Sequence, residues 1–345
     1  MDEKAMKPRI QISFPFACQR AFCFGKPYQP SEDEFLLDHA RSGILLALQA
    51  LHLPAGSGVG VMVYNCHTVF NAVSQAGCTP VFLDVRDDLT LDLDDLRSKR
   101  TRMNALIVSH LFGILNPVSL IREEFPDLVV IEDCAHAYGL KDLTGDVSVF
   151  SIGQGKLPSI GDGGILIVNR PQLKDRLSQL YSELPEYGRI NSVRLFCQLV
   201  VKAFLYKPWV YSILTVRLKR RRNASSGVEK INPSRMSKGI RAVYEVERRH
   251  VDKQISGHLE NARRLSEEVE KVKGTRLLPM GINAFMLAVE CVDRPALIAS
   301  MQALGLETGT HFSQCIDWAR SFGYRQGECP KAERLRHQLL MIPVY

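Results

Sequence analysis

The chain has 345 residues, of which 46% are apolar, 23% charged and 8% aromatic, a composition typical of an ordinary globular protein. That length allows a large domain and a smaller one. The formal net charge of +7 either suits anionic substrates or reflects one local basic run. Nothing in the sequence resembles a nucleic-acid-binding module.

The cysteines and the first residues indicate the cellular compartment. The nine cysteines show no paired CxxC spacing, and the opening segment MDEKAMKPRIQ is mixed and acidic with no apolar core after it. We therefore predict reduced core thiols, no metal site and a cytoplasmic protein rather than a secreted one.

Between residues 38 and 170 the sequence alternates helix-like and strand-like patterns. Residues 39–51 (HARSGILLALQAL) and 68–76 have apolar residues at helical spacing. Six short apolar runs predict strands: 59–64, 79–85, 105–110, 128–133, 147–152 and 163–169. Strands that alternate with helices predict βαβ units and a mostly parallel central sheet flanked by helices, which is the α/β fold class.

Polar side chains follow these predicted strands where each strand ends. They are Asn65 and Cys66, His110, Asp133 and His136, and the segment from Ser151 to Lys156. Ligands of parallel sheets bind outside the carboxyl ends of the strands. The sequence therefore predicts a site at this edge of the sheet.

The segment 186–230 differs from the segments on either side of it. It is rich in large apolar residues and contains the basic run KRRR at 219–222, but Lys202, Lys207 and Pro208 interrupt it as a membrane span. We predict a helical basic insert that packs on the body of the protein or on a second subunit. The alternative is peripheral contact of 191–222 with an anionic membrane surface.

The last third of the chain predicts a smaller α+β domain. Residues 234–272 have a charged helical pattern, residues 285–290 predict a strand, and residues 295–304 predict a helix. We divide the chain into a large domain, 1–232, which includes the insert at about 186–230, and a small C-terminal domain, 233–345.

One amine and one carboxylate stand out chemically. Lys156 lies in the glycine-rich run FSIGQGKLPSIGDGG, either as a surface lysine or as a Schiff-base lysine at the edge of the sheet. Asp133 ends a buried strand, so it either pairs with a positive group or caps the next helix, whereas Glu132 points to the opposite face. Ser42 and Gly43 before an apolar helix, together with Ser151, suit a phosphate site.

Six motifs occur in a fixed order along the chain. They are Ser-Gly before a helix, NAVSQAGCTPVFLDV, VSHLFG, IEDCAHAYG, DVSVFS, and a lysine followed five residues later by GDGG. In this order they resemble the DegT/DnrJ/EryC/StrS family of sugar aminotransferases, from about Ser42 to Asn169 and more weakly from Ser234 to the end. The resemblance is closest to a divergent branch that serves surface polysaccharide synthesis.

The resemblance implies a fold type I enzyme that uses pyridoxal 5′-phosphate. Lys156 would form the Schiff base and move a proton, and Asp133 would pair with the pyridinium nitrogen. The implied cofactor-binding set is Ser42, Gly43, Ile44, His67, Asp133, His136, Ser151, Lys156 and Asn232. His311 is the implied substrate contact.

Three of these positions depart from the family pattern. Ile44 replaces a threonine at the phosphate, Cys66 replaces the aromatic residue over the ring so that His67 becomes the candidate for that role, and Asn232 is shifted by one.

The implied reaction moves an amino group from an amino acid, glutamate by analogy, to a nucleotide-linked keto sugar, in a homodimer with shared active sites. The alternatives are a non-catalytic homologue that acts as a scaffold or regulator, and a pyridoxal-phosphate enzyme that acts on a small amino acid.

Overall fold

The computed structural model describes residues 16–205, 228–306 and 308–344. Its centre is a seven-stranded sheet in the order β1-β7-β6-β5-β4-β2-β3. The strands are β1 Glu34–Leu37, β2 Gly58–Met62, β3 Thr79–Leu83, β4 Ala105–Ser109, β5 Val129–Cys134, β6 Val147–Ser151 and β7 Gly164–Val168. Strands β2 to β6 are parallel, and β7 and β1 are antiparallel to their neighbours. The predicted mostly parallel sheet is confirmed, and the four-residue strand β1 is an addition to it.

Helices cover both faces of the sheet, as the apolar periodicity predicts. They are α1 Phe16–Phe24, α2 Ala40–Ala50, α3 His67–Gln75, α4 Leu93–Lys99, α5 Val118–Glu124, α6 Lys174–Glu183 and α7 Arg189–Leu205. Helix α2 packs closely on the sheet, because a Cβ atom at Gly43 would lie 3.0 Å from Val149 Cγ1. Gly43 therefore has a packing role at this position.

The smaller α+β unit is also present. Its antiparallel sheet has the order β10-β9-β8, with β8 Thr275–Leu277, β9 Met286–Cys291 and β10 Leu339–Pro343. The remaining helices are α8 Lys238–Glu247, α9 Val251–Glu270, α10 Arg294–Ala303, α11 Cys315–Arg320 and α12 Pro330–Gln338. The single helical pattern predicted over 234–272 is thus two helices. Cys315 and Leu335 join the core of the large sheet, so the two units share a core, and the division at 232/233 stays a prediction.

The predicted helical insert begins with α7, which packs on the body of the protein. Its Leu195 and Leu199 are buried in a cluster with Cys18 of α1 and Ile160. Residues 206–227, which include the basic run 219–222, lie outside the described residues. No helix among the described residues is long and apolar enough to cross a membrane.

The GDGG motif brings the start of α2 to the carboxyl edge of the parallel strands. Strand β7 runs antiparallel to β6, so its first residues lie at that edge, and Gly163 bridges His39 there with a φ of +134°. At Gly164 a Cβ atom would lie 2.3 Å from the carbonyl carbon of His39. Only glycine permits this approach, which positions the first turn of α2 beside the ends of β2, β4, β5 and β6.

Candidate active site

A cavity of about 400 Å³ lies at this edge of the sheet, within the usual range for small-molecule sites. Five residues of the predicted site line it: Ile44, Asp133, His136, Ser151 and Lys156. Strands β5 and β6 and the loop after β6 therefore bring together the residues that the sequence placed at strand ends.

Lys156 and His136 are in direct contact inside the cavity. The Lys156 amine faces Nε2 of the His136 ring, and the backbone N–H of Phe112 donates to His136 Nδ1 at 3.0 Å. Since Nδ1 accepts a hydrogen bond, a neutral ring carries its proton on Nε2 and donates it toward Lys156. A lysine that accepts a hydrogen bond is a neutral amine.

The electrostatics of this pair favour the same protonation state. Burial lowers the pKa of Lys156 from its ordinary value, with the charges of Cys66 and Asp133 opposing the shift. Burial also holds the pKa of His136 well below its usual range, and the neighbouring charge of Lys156 adds to this effect. The site therefore holds a neutral imidazole against an amine that loses its proton more readily than an exposed lysine.

Asp133 is held by a chain of polar groups. Ser109 Oγ donates to Asp133 Oδ2 at 2.8 Å, Asn65 Nδ2 donates to Ser109 Oγ at 2.8 Å, and the N–H of Ala135 donates to Oδ1 at 3.1 Å. These donors fix the orientation of the carboxylate at the end of β5. Asn65 is one of the polar residues that the sequence placed after a strand, whereas Ser109, the last residue of β4, was not singled out there.

Glu132 lies on the opposite face of β5, as the alternation of a strand predicts. It accepts a hydrogen bond from Ser148 Oγ at 2.7 Å, and its carboxylate lies 3.8 Å from His110 Nε2. Burial alone would raise the pKa of Glu132, but its contacts with His110 and Ser148 lower that pKa below its ordinary value. Glu132 is absent from the described lining of the cavity.

The first turn of α2 brings positive charge to the cavity. Arg41 lines the cavity, and His39 is bound to Asp162 at 3.0 Å and to Asp38 at 3.2 Å. Burial alone would lower the pKa of His39, but its hydrogen bonds to Asp162 and Asp38 raise that pKa to about 9. Sequence reasoning missed Arg41, although a cation directly before Ser-Gly was a visible signal.

Ser42 and Gly43 are buried residues of α2. The Ser42 side chain is fully buried, and both residues are absent from the described lining, whereas Ile44 and Ser151 belong to it. Ser151 therefore brings one of the predicted hydroxyls to the cavity, and the phosphate roles assigned to Ser42 and Gly43 remain predictions.

Three other predicted residues lie away from the described lining. The His67 ring packs edge-on against Trp318, with centroids 4.8 Å apart, and lies 3.6 Å from Glu229. Asn232 is exposed, and the backbone carbonyl of His311 accepts a hydrogen bond from Tyr64. The roles assigned to His67, Asn232 and His311 remain predictions.

The cavity wall contains Cys66 and Phe312, which are the sequence neighbours of His67 and His311. The Phe312 ring stacks on His136 with a centroid separation of 5.8 Å. Burial would raise the pKa of Cys66, but hydrogen bonds to His67 and Thr68 lower it. These two residues thus present a thiol and a phenyl ring to the cavity.

Helix α7 covers part of the cavity. Leu195, Gln198, Leu199 and Lys202 line it, and Lys202 Nζ donates to Gln154 Oε1 at 2.7 Å, in the loop that carries Lys156. The sequence predicted a helical segment here but no part in the site.

The donor set fits pyridoxal 5′-phosphate. Lys156 offers an amine that burial makes easier to deprotonate, and Asp133 offers an oriented carboxylate for the pyridine nitrogen. Ser151, Arg41 and the first turn of α2 offer a hydroxyl, a guanidinium and N–H groups for a phosphate.

No group of His, Cys, Asp and Glu in the described part of the chain could hold a metal ion.

Comparison with known proteins identifies a family domain. Residues 38–192 match the family described as "DegT/DnrJ/EryC1/StrS aminotransferase family". The GDP-perosamine synthase of Escherichia coli O157:H7 is 33% identical over 141 residues, which are 38% of this chain and 39% of that protein. The dTDP-3-amino-3,4,6-trideoxy-alpha-D-glucose transaminase of Streptomyces venezuelae is 26% identical over 87% of this chain and 74% of its own length. The match thus spans about two fifths of the first of these relatives and about three quarters of the second.

Solved structures share the fold along nearly the whole chain. The aminotransferase TlmJ from Streptoalloteichus hindustanus superimposes with a TM-score of 0.74 at 20% identity, covering 98% of this chain and 93% of its own. S. venezuelae DesV, solved with a ketimine intermediate, gives a TM-score of 0.73 at 20% identity over 98% and 94%. These likenesses confirm the predicted aminotransferase fold.

Proposed function

We propose that this chain is an aminotransferase whose cavity binds pyridoxal 5′-phosphate and whose reaction transfers an amino group to a nucleotide-linked keto sugar. The premise is that residues 38–192 form a DegT/DnrJ/EryC1/StrS aminotransferase family domain. The observation that carries the proposal is the geometry around Lys156. Its amine contacts an imidazole that donates to it, and a carboxylate fixed at the end of β5 lines the same cavity.

Pyridoxal phosphate, when bound, supplies a carbonyl group that captures amines and a ring that accepts electrons from the substrate carbon. Asp133 keeps a proton on the ring nitrogen through its charge, and Ser109 and Asn65 hold that carboxylate in place. Ser151 and Arg41 bind the phosphate.

Lys156 acts as the base and then the acid at the substrate carbon. Its neutral form takes a proton there and returns it to a neighbouring atom, and the contact with His136 orients the amine for both steps. Leu195, Leu199 and Phe312 line the cavity with apolar surface, which excludes water from these transfers.

The named relatives support the class of substrate. The E. coli relative is a GDP-perosamine synthase and the S. venezuelae relative is a transaminase of a dTDP-linked amino sugar. For this chain we propose a keto sugar on a nucleotide as acceptor and glutamate as amino donor, with the active site shared in a homodimer.

A spectrum of the purified protein with pyridoxal phosphate tests the proposal. We expect a visible absorbance band that disappears when glutamate is added and returns when a nucleotide-linked keto sugar follows. Lys156→Ala should lose the band, and Lys202→Ala, which removes another lysine of the cavity wall, should keep it.

Two results would favour the alternatives. A wild-type protein that stays colourless in excess pyridoxal phosphate would indicate a scaffold or regulator. A band that responds to a small amino acid, with no transfer to dTDP- or GDP-linked keto sugars in mass spectra, would indicate an enzyme of amino acids.

A further inference from the structure

Helix α7 has two apolar faces. Leu195 and Leu199 are buried against the body of the protein, and they fix the orientation of the helix. On the other side Ile190, Val193, Val201 and Phe204 are exposed by 85%, 63%, 54% and 53%. Packing on the body of the protein accounts for the buried face only.

The exposed residues form one continuous stripe, which we call the outer stripe: Ile190, Val193, Cys197, Val201 and Phe204. Successive members are three or four positions apart, and at 100° per residue they fall within a sector of about 80°, opposite Leu195 and Leu199. Cys197 is exposed as well. From Ile190 to Phe204 the helix rises about 21 Å, which is the length of the stripe.

The positive charge of the protein is concentrated in the same segment. Residues 189–222 contain nine lysines and arginines and no acidic residue, while the rest of the chain has 35 basic and 37 acidic residues. The segment of 34 residues thus accounts for the whole net charge of +7. Arg194 and Lys202 belong to α7 itself.

We infer that the outer stripe of α7 binds the surface of an anionic lipid bilayer, with the helix lying in the plane of the interface. Apolar side chains on one face with basic residues beside them are the features of an interfacial helix. Each basic residue near an anionic leaflet contributes about 1 kcal/mol of attraction, and the apolar stripe contributes through burial among the acyl chains.

A second copy of this chain fits the stripe less well than a bilayer does. Outside residues 189–222 the chain has 35 basic and 37 acidic residues, so a partner copy carries almost no net negative charge to match the basic segment. A nucleic acid would neutralise the charge but leave the apolar stripe in water.

The site and the stripe occupy the same helix. Gln198 and Lys202 line the cavity, while Val201 and Phe204 belong to the stripe. The inference places the cavity within about one helix diameter, roughly 10 Å, of the lipid surface. It does not depend on the proposed reaction.

Co-sedimentation of the full chain with lipid vesicles tests the inference. We expect binding to phosphatidylcholine vesicles that contain about 30% phosphatidylserine, weak binding to phosphatidylcholine alone, and release at about 0.5 M salt. The double variant Val193→Glu/Val201→Glu should bind at least about tenfold more weakly, because two apolar contacts become charged. Val292→Glu, at a residue that is 87% exposed elsewhere, is the matched control and should bind like the wild type.

A fluorophore on Cys197 gives an independent measurement. In a Cys23→Ser background an environment-sensitive dye on Cys197 should brighten with anionic vesicles, and a blank that also carries Cys197→Ser should not. Equal binding by the double variant and the wild type would overturn the inference, and so would an unresponsive dye. The inference would also be overturned if the double variant had a lower mass than the wild type in light scattering while its binding to vesicles was unchanged. The stripe would then be a contact between copies of this chain.

Discussion

At the scale of single residues, the contact between His136 and Lys156 determines which protonation states the cavity favours. The N–H of Phe112 fixes the imidazole proton on Nε2, and Phe112 has the left-handed φ of 54° that its turn requires. The imidazole then donates to the neutral amine and, with burial, favours it over the ammonium form. Lys156 is thereby ready to react at a lower pH than an exposed lysine.

His136→Phe should raise the pKa of Lys156 by about one unit, since the loss of a hydrogen bond to the neutral amine costs about 1 kcal/mol. The rate at which pyridoxal phosphate develops its visible band should then become half-maximal at a higher pH. Stopped-flow absorbance across pH measures this midpoint. Phe312→Leu, which changes a neighbour of His136 and leaves the imidazole, is the control, and an unshifted midpoint in His136→Phe would contradict the role given to the imidazole.

At the scale of secondary-structure elements, the hairpin that precedes β7 packs directly against the start of α2. Gly163 bridges His39 in a backbone conformation that favours glycine, and Gly164 lies against the backbone of His39 and Ala40. This contact positions α2 so that Arg41 and Ile44 line the cavity. The GDGG motif therefore has a steric explanation that is independent of any ligand.

Gly164→Ala should destabilise the protein by at least about 2 kcal/mol, because its Cβ atom would lie 2.5 Å or less from three backbone atoms, which cannot move independently. The melting temperature should fall accordingly in calorimetry. Gly257→Ala, in the interior of α9 with nothing within 4 Å of the new atom, should gain about 0.5–1 kcal/mol instead. Equal melting temperatures for the two variants would refute the proposed close approach at β7.

At the scale of the whole molecule, His39 joins three parts of the fold. It precedes α2, and its ring binds Asp38 after β1 and Asp162 in the hairpin before β7. Since these carboxylates raise the pKa of His39 to about 9, the protonated ring stabilises the folded state at neutral pH. The stabilisation is complete below the unfolded pKa of about 6.5 and is lost as the pH rises through 9.

His39→Gln should cost about 1–2 kcal/mol below pH 6.5, after allowance for the partial exposure of the ring, and almost nothing above about pH 9.5. Urea denaturation of wild type and variant across this pH range measures the difference. His250→Gln, at an exposed residue, provides the baseline. A difference between wild type and His39→Gln that does not change with pH would show that the charge on His39 has no part in stability.

Local sequence patterns predicted most of the large sheet. Short apolar runs located β2 to β7, because strands buried on both faces require apolar residues at successive positions. Strand β1 escaped prediction because four residues at the edge of a sheet leave too short a pattern. The break between α8 and α9 at 248–250 was missed because the three residues Arg248, Arg249 and His250 fit an exposed helical surface equally well.

The sequence by itself determined the fold class, the strands β2 to β7 and the place of Lys156 and Asp133 at one edge of the sheet, since parallel strands bring their carboxyl ends to one edge. The tertiary structure alone decided which neighbours complete the cavity. It brought Arg41 and α7 to the cavity and placed His67 and Asn232 outside its described lining. The physical reason is that the periodicity of a sequence records whether a residue is buried, whereas strand order, helix packing and glycine contacts between distant segments decide what it is buried against.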